Sequence, residues 1–281
     1  MVASKTMRES RLVQGDFAAL SRSDQDVLVV AVGGLDPTGG AGVVRDLLTA
    51  RTLNARVRVV PTAWTEQSAA RGVSSVEPRD PAALEAALGA ALNAGAGALA
   101  VKVGMLPDGS TLEAVVRALR EFDGPVVFDP VLGASSGGAL FRGDPTALLA
   151  LGRRATLFTP NAVEAARLTK RDFVEPMDLL HAEQAGQALV HDGVRAVLVK
   201  GGHVTGALAV DLLVRAEGVH RLEASRLSGP AVRGTGCALA AALAVALARG
   251  LDLERAVGCA KAWLHEAIGG AVAVGDERHL S

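Results

Sequence analysis

Val27-Leu28-Val29-Val30-Ala31-Val32, followed at once by Gly33-Gly34, is the stretch that decides the fold. An apolar run without polar alternation suits a strand buried on both faces, and such strands belong to parallel sheets covered by helices. Helical spacing follows from about Ala41 to Leu53. Similar runs recur at Val57 to Val60, Ala98 to Val103, Val126 to Phe128, Thr156 to Phe158 and Ala196 to Val199. Between most of them lie alanine- and leucine-rich segments with helical spacing, such as Ala82 to Leu92 and Leu112 to Leu119. Strand alternating with helix predicts an α/β fold, with a mostly parallel central sheet and helices on both faces. Short apolar-polar runs on either side of Glu217-Gly218 predict a hairpin. Two helices close the pattern, from about Cys237 to Arg249 and from Leu253 to about Ile268.

Residues 1 to 25 are polar and aperiodic and read as an extension, with the flexibility expected of such a segment. Residues 26–275 read as one domain and 276–281 as a tail. The 281 residues carry 29 basic and 30 acidic side chains, a formal charge of −1. That balance offers no broad basic field for a nucleic-acid backbone, and 3% aromatics with no Tyr offer few stacking platforms. The expected ligand is a small molecule. The apolar run Ala238 to Ala248 is shorter than the ~20 residues of a membrane span, so it predicts a buried helix. Two cysteines, Cys237 and Cys259, form no disulfide framework or metal-type spacing, and the start of the chain lacks the apolar stretch of a secretory signal. A cytoplasmic protein in a reducing compartment is the expectation.

In open sheets of this kind ligands collect beyond the carboxyl ends of the strands. Gly34 to Gly39 has the spacing of a phosphate loop, but Gly40-Ala41 follows where Lys and Ser or Thr are needed, and the dinucleotide fingerprint is absent too. The loop reads either as an ordinary strand-to-helix turn or as one that lets backbone approach a ligand. Gly234-Thr235-Gly236-Cys237 precedes an apolar helix, so its amides and the helix dipole can form an anion hole for a phosphoryl group. The same dipole is expected to lower the Cys237 pKa, making the thiolate a candidate general base. The alternative is a small cysteine at a helix start. Asn161 either caps the helix it opens or presents Glu164 to Mg²⁺ and its waters, with Asp129 in a similar position. Lys200, before Gly201-Gly202, can meet a triphosphate as a point charge. His203 and the other histidines show no metal-ligand spacing, and Cys259 reads as core.

Taken together, these residues resemble the ribokinase-like superfamily, and within it the hydroxymethylpyrimidine/phosphomethylpyrimidine kinases of thiamine biosynthesis. Asp36-Pro37-Thr38-Gly39-Gly40-Ala41-Gly42 is similar to that family's D-P-S-G-G-A-G loop, and Lys102-Val103-Gly104-Met105-Leu106 to its K-I-G-M-L. Thr62-Ala63-Trp64-Thr65-Glu66-Gln67 resembles T-A-L-T-A-Q. Asp129-Pro130-Val131, Thr159-Pro160-Asn161 with Glu164, Lys200-Gly201-Gly202-His203 and Gly234-Thr235-Gly236-Cys237 follow in family order. The resemblance implies ATP and Mg²⁺ as cofactors and a pyrimidine alcohol, or its monophosphate, as acceptor. It implies that Gly34, Asp36, Gln67 and Met105 bind the substrate and that Lys200 and Gly202 bind ATP phosphates. It also implies a homodimer. The sequence departs from the family pattern at Leu35, Trp64, Glu66, Ser68, the segment Ser135-Ser136-Gly137 and Arg233, the last standing where the family often has His. A pyridoxal or pyridoxine kinase of the same fold is one alternative, and a non-catalytic pyrimidine-binding sensor is another. Intact Cys237, Glu164 and Asp129 argue against the sensor.

Overall fold

The computed structural model describes residues 20, 26–68, 72–93, 97–134, 138–171, 178–202, 204, 206–274 and 277–280. The elements in chain order begin with β1 (Val27–Leu35), α1 (Gly42–Thr52), β2 (Arg56–Ser68), β3 (Gly72–Pro78) and α2 (Pro81–Asn93). Next come β4 (Ala98–Val103), α3 (Gly109–Ala118), β5 (Val126–Phe128), a short α4 (Leu149–Gly152), β6 (Leu157–Phe158), α5 (Ala162–Leu168) and α6 (Leu179–His191). The chain continues through β7 (Ala196–Val199), β8 (Leu208–Arg215), β9 (Gly218–Ser225), β10 (Val232–Arg233), α7 (Thr235–Ala248), α8 (Leu253–Gly269), β11 (Val272–Val274) and β12 (Glu277–His279).

Among the described residues, nine strands form one sheet in the order β3-β2-β1-β4-β5-β6-β7-β8-β9. Pairing is parallel from β2 through β7, and antiparallel where β3 joins β2 and where β8 and β9 extend the far edge. The period-2 geometry of the strands divides their apolar side chains between two cores. Val30, Val32, Val101, Val103, Phe128 and Val199 face a core with α2, α3, α5 and α6. Val27, Val29, Ala100, Val127, Leu157 and Leu198 face the core made by α1, α7 and α8. Helix α7 is apolar all round because sheet and helices enclose it: Ala238 to Ala248 are all buried. Among the described residues no helix is long and apolar enough to cross a membrane.

The structure extends the sequence reading in three places. Strand β2 runs well past Val60, because Pro61 falls where the β1 register slips between Gly33 and Gly34 and no regular ladder is demanded. Strand β3 has no counterpart in the sequence reading; Ser74, Ser75 and Glu77 are exposed on it, so it lacks the apolar signal of a buried strand. The segment set aside as a tail contains β12, which pairs with β10 and β11 in a second small sheet, and Leu280 is buried. Within the N-terminal extension, Leu20 is buried and its carbonyl accepts from Arg249; the rest of that extension lies outside the described residues.

The chain leaves β1 for β2 and β3 on one side, then returns to β4 on the other. The crevice at the carboxyl ends of β1 and β4 is therefore the switch point, where an open sheet leaves room for a ligand.

Candidate active site

A cleft of about 280 Å³ opens at this switch point. Gly34 and Met105 line its β1–β4 side and Gly202 and Ala224 its β7–β9 side, and Cys237 and Lys200 line it too. The structure thus brings together Gly34, Met105, Asp129, Glu164, Lys200, Gly202, Gly234, Thr235, Gly236 and Cys237, all named from sequence. Gln67 lies in β2 opposite Val73; its side chain, with His203 and Ser135-Ser136-Gly137, lies outside the described residues.

Asp36 is not among the groups that line the cleft. Its carboxylate is fully buried and accepts from the Thr38 amide at 3.0 Å, the Thr38 hydroxyl at 2.8 Å and the Ala41 amide at 3.0 Å. It organises its own loop and faces Arg233 Nη2 at 3.3 Å. Two glycines explain how that loop meets α7. Gly42 has φ 61° and a β-carbon there would lie 2.1 Å from the Gly34 carbonyl oxygen. Gly234 has φ 71° and its β-carbon would lie 2.1 Å from the Gly40 carbonyl oxygen. Only residues without a side chain allow the two turns to press together in this way.

Helix α7 starts two residues before the expected Cys237, with Gly234 as its N-cap. The first intrahelical bond runs from the Ala238 amide to the Gly234 carbonyl at 2.9 Å. The amides of Thr235, Gly236 and Cys237 precede it and sit at the positive end of a 14-residue helix. Lys200 and Asp129 lie over the same point: a β-carbon at Gly236 would be 3.4 Å from Lys200 Nζ and 3.7 Å from Asp129 Oδ2. Lys200 and Asp129 also form an ion pair, and burial lowers the Lys200 pKa less than the carboxylates of Asp129 and Glu164 raise it, so the group stays cationic.

The expected low pKa of Cys237 is corrected by the structure. The half-buried thiol is pushed up to about 11, first by desolvation and then by the carboxylates of Asp46 and Asp129, while Lys102 and the Gly42 amide pull it down. The helix start is present, but desolvation outweighs it. At neutral pH the resting group is the thiol.

Asn161 and Glu164 form the helix cap that is one of the two readings of their motif. Asn161 Oδ1 accepts from the Glu164 amide at 2.9 Å, and Glu164 Oε2 accepts from the Asn161 amide at 2.7 Å, a reciprocal cap of α5. Glu164 still borders the cleft. Burial pushes its carboxyl up to about 7; Lys200 opposes this, Asp129 adds to it, and the Asn161 and Leu132 amides oppose it. Two mutually repelling carboxylates facing one cleft make a hard-oxygen set that Mg²⁺ fits, since that ion takes few protein ligands and keeps waters. Among the described residues no group of three or more His, Cys, Asp or Glu is placed to hold a metal ion.

Two ion pairs were not read as site features from sequence. Lys102 Nζ lies 2.8 Å from Asp46 Oδ2, both buried, and Lys102 borders the cleft. At the opposite end Lys261 Nζ lies 2.6 Å from Asp211 Oδ2, while Asp211 Oδ1 accepts from the Gly201 amide at 2.8 Å. That second pair anchors the turn carrying Lys200 and Gly202. The available sequence signal was a lone charge inside an otherwise apolar run, Lys102 in β4 and Asp211 in β8.

A doubly covered sheet, a cleft at its switch point, and a helix start faced by a lysine and carboxylates define a kinase of the ribokinase-like class. The family model for phosphomethylpyrimidine kinase matches residues 36–280, and the chain belongs to that family. The hydroxymethylpyrimidine/phosphomethylpyrimidine kinase of Rhizobium meliloti is 39% identical over 246 residues, 87% of this chain and 91% of that protein. Among solved structures, the phosphomethylpyrimidine kinase of Clostridium difficile is similar with a TM-score of 0.72 at 28% identity, covering 87% of this chain and all (100%) of that one. The Staphylococcus aureus pyridoxal kinase in complex with AMP-PCP and pyridoxal is similar with a TM-score of 0.79 at 26% identity, covering 92% and 93% of the two chains.

Proposed function

We propose that this chain transfers the γ-phosphoryl group of ATP to the hydroxymethyl oxygen of 4-amino-5-hydroxymethyl-2-methylpyrimidine, and then to the phosphate of the product, in thiamine biosynthesis. The observation that carries this reading is the start of α7, where the Gly234 to Cys237 segment, Lys200 and Asp129 converge in the cleft. The acceptor belongs at the Gly34 and Met105 end, where Gln67 is also expected to contact the ring. The nucleotide belongs at the Gly202 end, where the Lys261–Asp211 pair holds the turn.

In this reading the amides of Thr235, Gly236 and Cys237 and the Lys200 ammonium stabilise charge on the phosphoryl oxygens during transfer, the main contribution such a site makes. Cys237, as thiolate, takes the proton of the attacking hydroxyl. Asp129 and Glu164 would hold Mg²⁺, which when bound would neutralise charge on the triphosphate oxygens. A homodimer and a cytoplasmic location accompany the reading; sedimentation tests the former.

The test is ADP release by the purified chain with the pyrimidine alcohol, its monophosphate and pyridoxal supplied separately. Turnover of the two pyrimidines above pyridoxal is expected. Efficient turnover of pyridoxal alone makes the chain a pyridoxal kinase, and thermal stabilisation by the pyrimidine without ADP release makes it a sensor.

A further inference from the structure

Four Lys or Arg side chains border the cleft among the described residues, and each faces a carboxylate: Lys102 with Asp46, Lys200 with Asp129, Lys261 with Asp211 and Arg233 with Asp36. They differ in position. Lys200 and Lys261 belong to the nucleotide half, and Lys102 is buried in its pair. Arg233 directly precedes the Gly234 turn and reaches across to the loop walling the acceptor end. Its Nη1 lies 3.5 Å from Thr38 Oγ1, and a β-carbon on Gly40 would meet its guanidinium at 3.2 Å.

The two acceptors of the proposed reaction differ in charge more than in shape. The alcohol is neutral and must lose a proton. A phosphomonoester carries about −1.5 to −2 at neutral pH, and its attacking oxygen is already ionised. In the second transfer a phosphate oxygen forms a bond to the γ-phosphorus, and the bond from the γ-phosphorus to the bridging oxygen breaks. ADP leaves with that electron pair, and no proton is taken from the acceptor. The demand at this step is charge compensation between two anions, not a base.

We infer that Arg233 is a specificity-determining residue that binds the acceptor's phosphate and favours the monophosphate over the alcohol; this rests on the functional reading above. The guanidinium fork matches a phosphate in two-point fashion. The Thr38 amide, the Thr38 hydroxyl and the Ala41 amide keep the Asp36 carboxylate hydrogen-bonded when a phosphate engages the guanidinium. The side chain is 12% exposed, so it meets the cleft without being loose in solvent.

The experiment compares kcat/KM for the monophosphate with kcat/KM for the alcohol in the wild-type chain, Arg233→Gln and Arg233→Lys, by ADP release at saturating ATP. The ratio is taken within each protein, so a partly unfolded preparation cancels. Arg233→Gln is expected to lower it about tenfold, the loss of a charge-assisted hydrogen bond, and Arg233→Lys to restore part of the preference. A ratio that stays within about threefold of wild type, whatever the absolute rates, overturns the inference and leaves Arg233 as a brace for the Asp36 loop. Failure of the wild-type chain to phosphorylate either pyrimidine is a different result: it overturns the functional reading, and this inference with it.

Discussion

Lys102 Nζ and Asp46 Oδ2 lie 2.8 Å apart, with 1% and 0% of their side chains exposed, and both charges act on the Cys237 thiol. The pair joins β4 to α1 at the floor of the cleft. Separating a buried pair leaves one charge without compensation, so Lys102→Met or Asp46→Asn alone is expected to cost about 3–5 kcal/mol. Lys102→Met combined with Asp46→Leu is expected to be less destabilising than either single change, which urea unfolding of the three variants measures. In any Lys102→Met protein that remains folded, iodoacetamide modification of Cys237 should need higher pH, because Lys102 is the main group pulling that pKa down.

The Cys237 thiol, pushed up to about 11, sets a pH signature. If thiolate is the base, phosphorylation of the alcohol rises from pH 7 to 9.5, and Cys237→Ala lowers it by about 10²–10⁴ and removes the rise. Phosphorylation of the monophosphate lacks the proton transfer and should be nearly flat over the same range, with a smaller loss in Cys237→Ala. Equal losses on both acceptors count against the base role.

Glu164 predicts a stability trend of definite sign. Its folded pKa, about 7, lies above the ordinary glutamate value of 4.5, so the folded chain prefers the protonated acid. The stabilisation is complete below 4.5 and is lost as pH rises through 7. Asp46, raised to about 6, has the same sign in a lower window. Without Mg²⁺, the difference in Tm between wild type and Glu164→Gln should therefore shift against wild type between pH 5 and 7.5. Added Mg²⁺ favours the carboxylate, and should raise the wild-type Tm more at pH 8 than at pH 6, with a smaller effect in Glu164→Gln.

Gly234→Ala tests the contact between the two glycine turns. A left-handed non-glycine residue costs about 1–3 kcal/mol, and here a β-carbon 2.1 Å from the Gly40 oxygen must also displace the loop. The expected outcome is a lower Tm and a loss of kcat/KM on both acceptors, measured beside Gly258→Ala in α8, where a β-carbon meets nothing within 4 Å.

Strands β1, β5 and β7 are legible in the sequence because burial on both faces leaves unbroken apolar runs, and β4 shows the same run interrupted only by Lys102. Strand β3 is not, because an exposed edge strand with Ser74, Ser75 and Glu77 has no such signature. The Gly234 turn, Lys200, Asp129 and Glu164 are legible as chemistry at strand ends, where an open sheet puts its ligands. Asp36 shows the limit of that reading: a conspicuous acid in a ligand loop, its carboxylate turned inward to hold the loop together.

By itself the sequence determined the layer order and the crevice at the strand ends, since hydrophobic periodicity and local turn chemistry act over a few neighbouring residues. Only the tertiary structure decided the charge state and partnership of the residues gathered there. Lys102 meets Asp46 across 56 positions, Lys200 meets Asp129 across 71, and Arg233 meets Asp36 across 197. The Cys237 pKa belongs with them. A helix start is a local feature that favours thiolate, whereas desolvation and the carboxylates of Asp46 and Asp129 arise only when distant segments close around the thiol, and in this cleft they prevail.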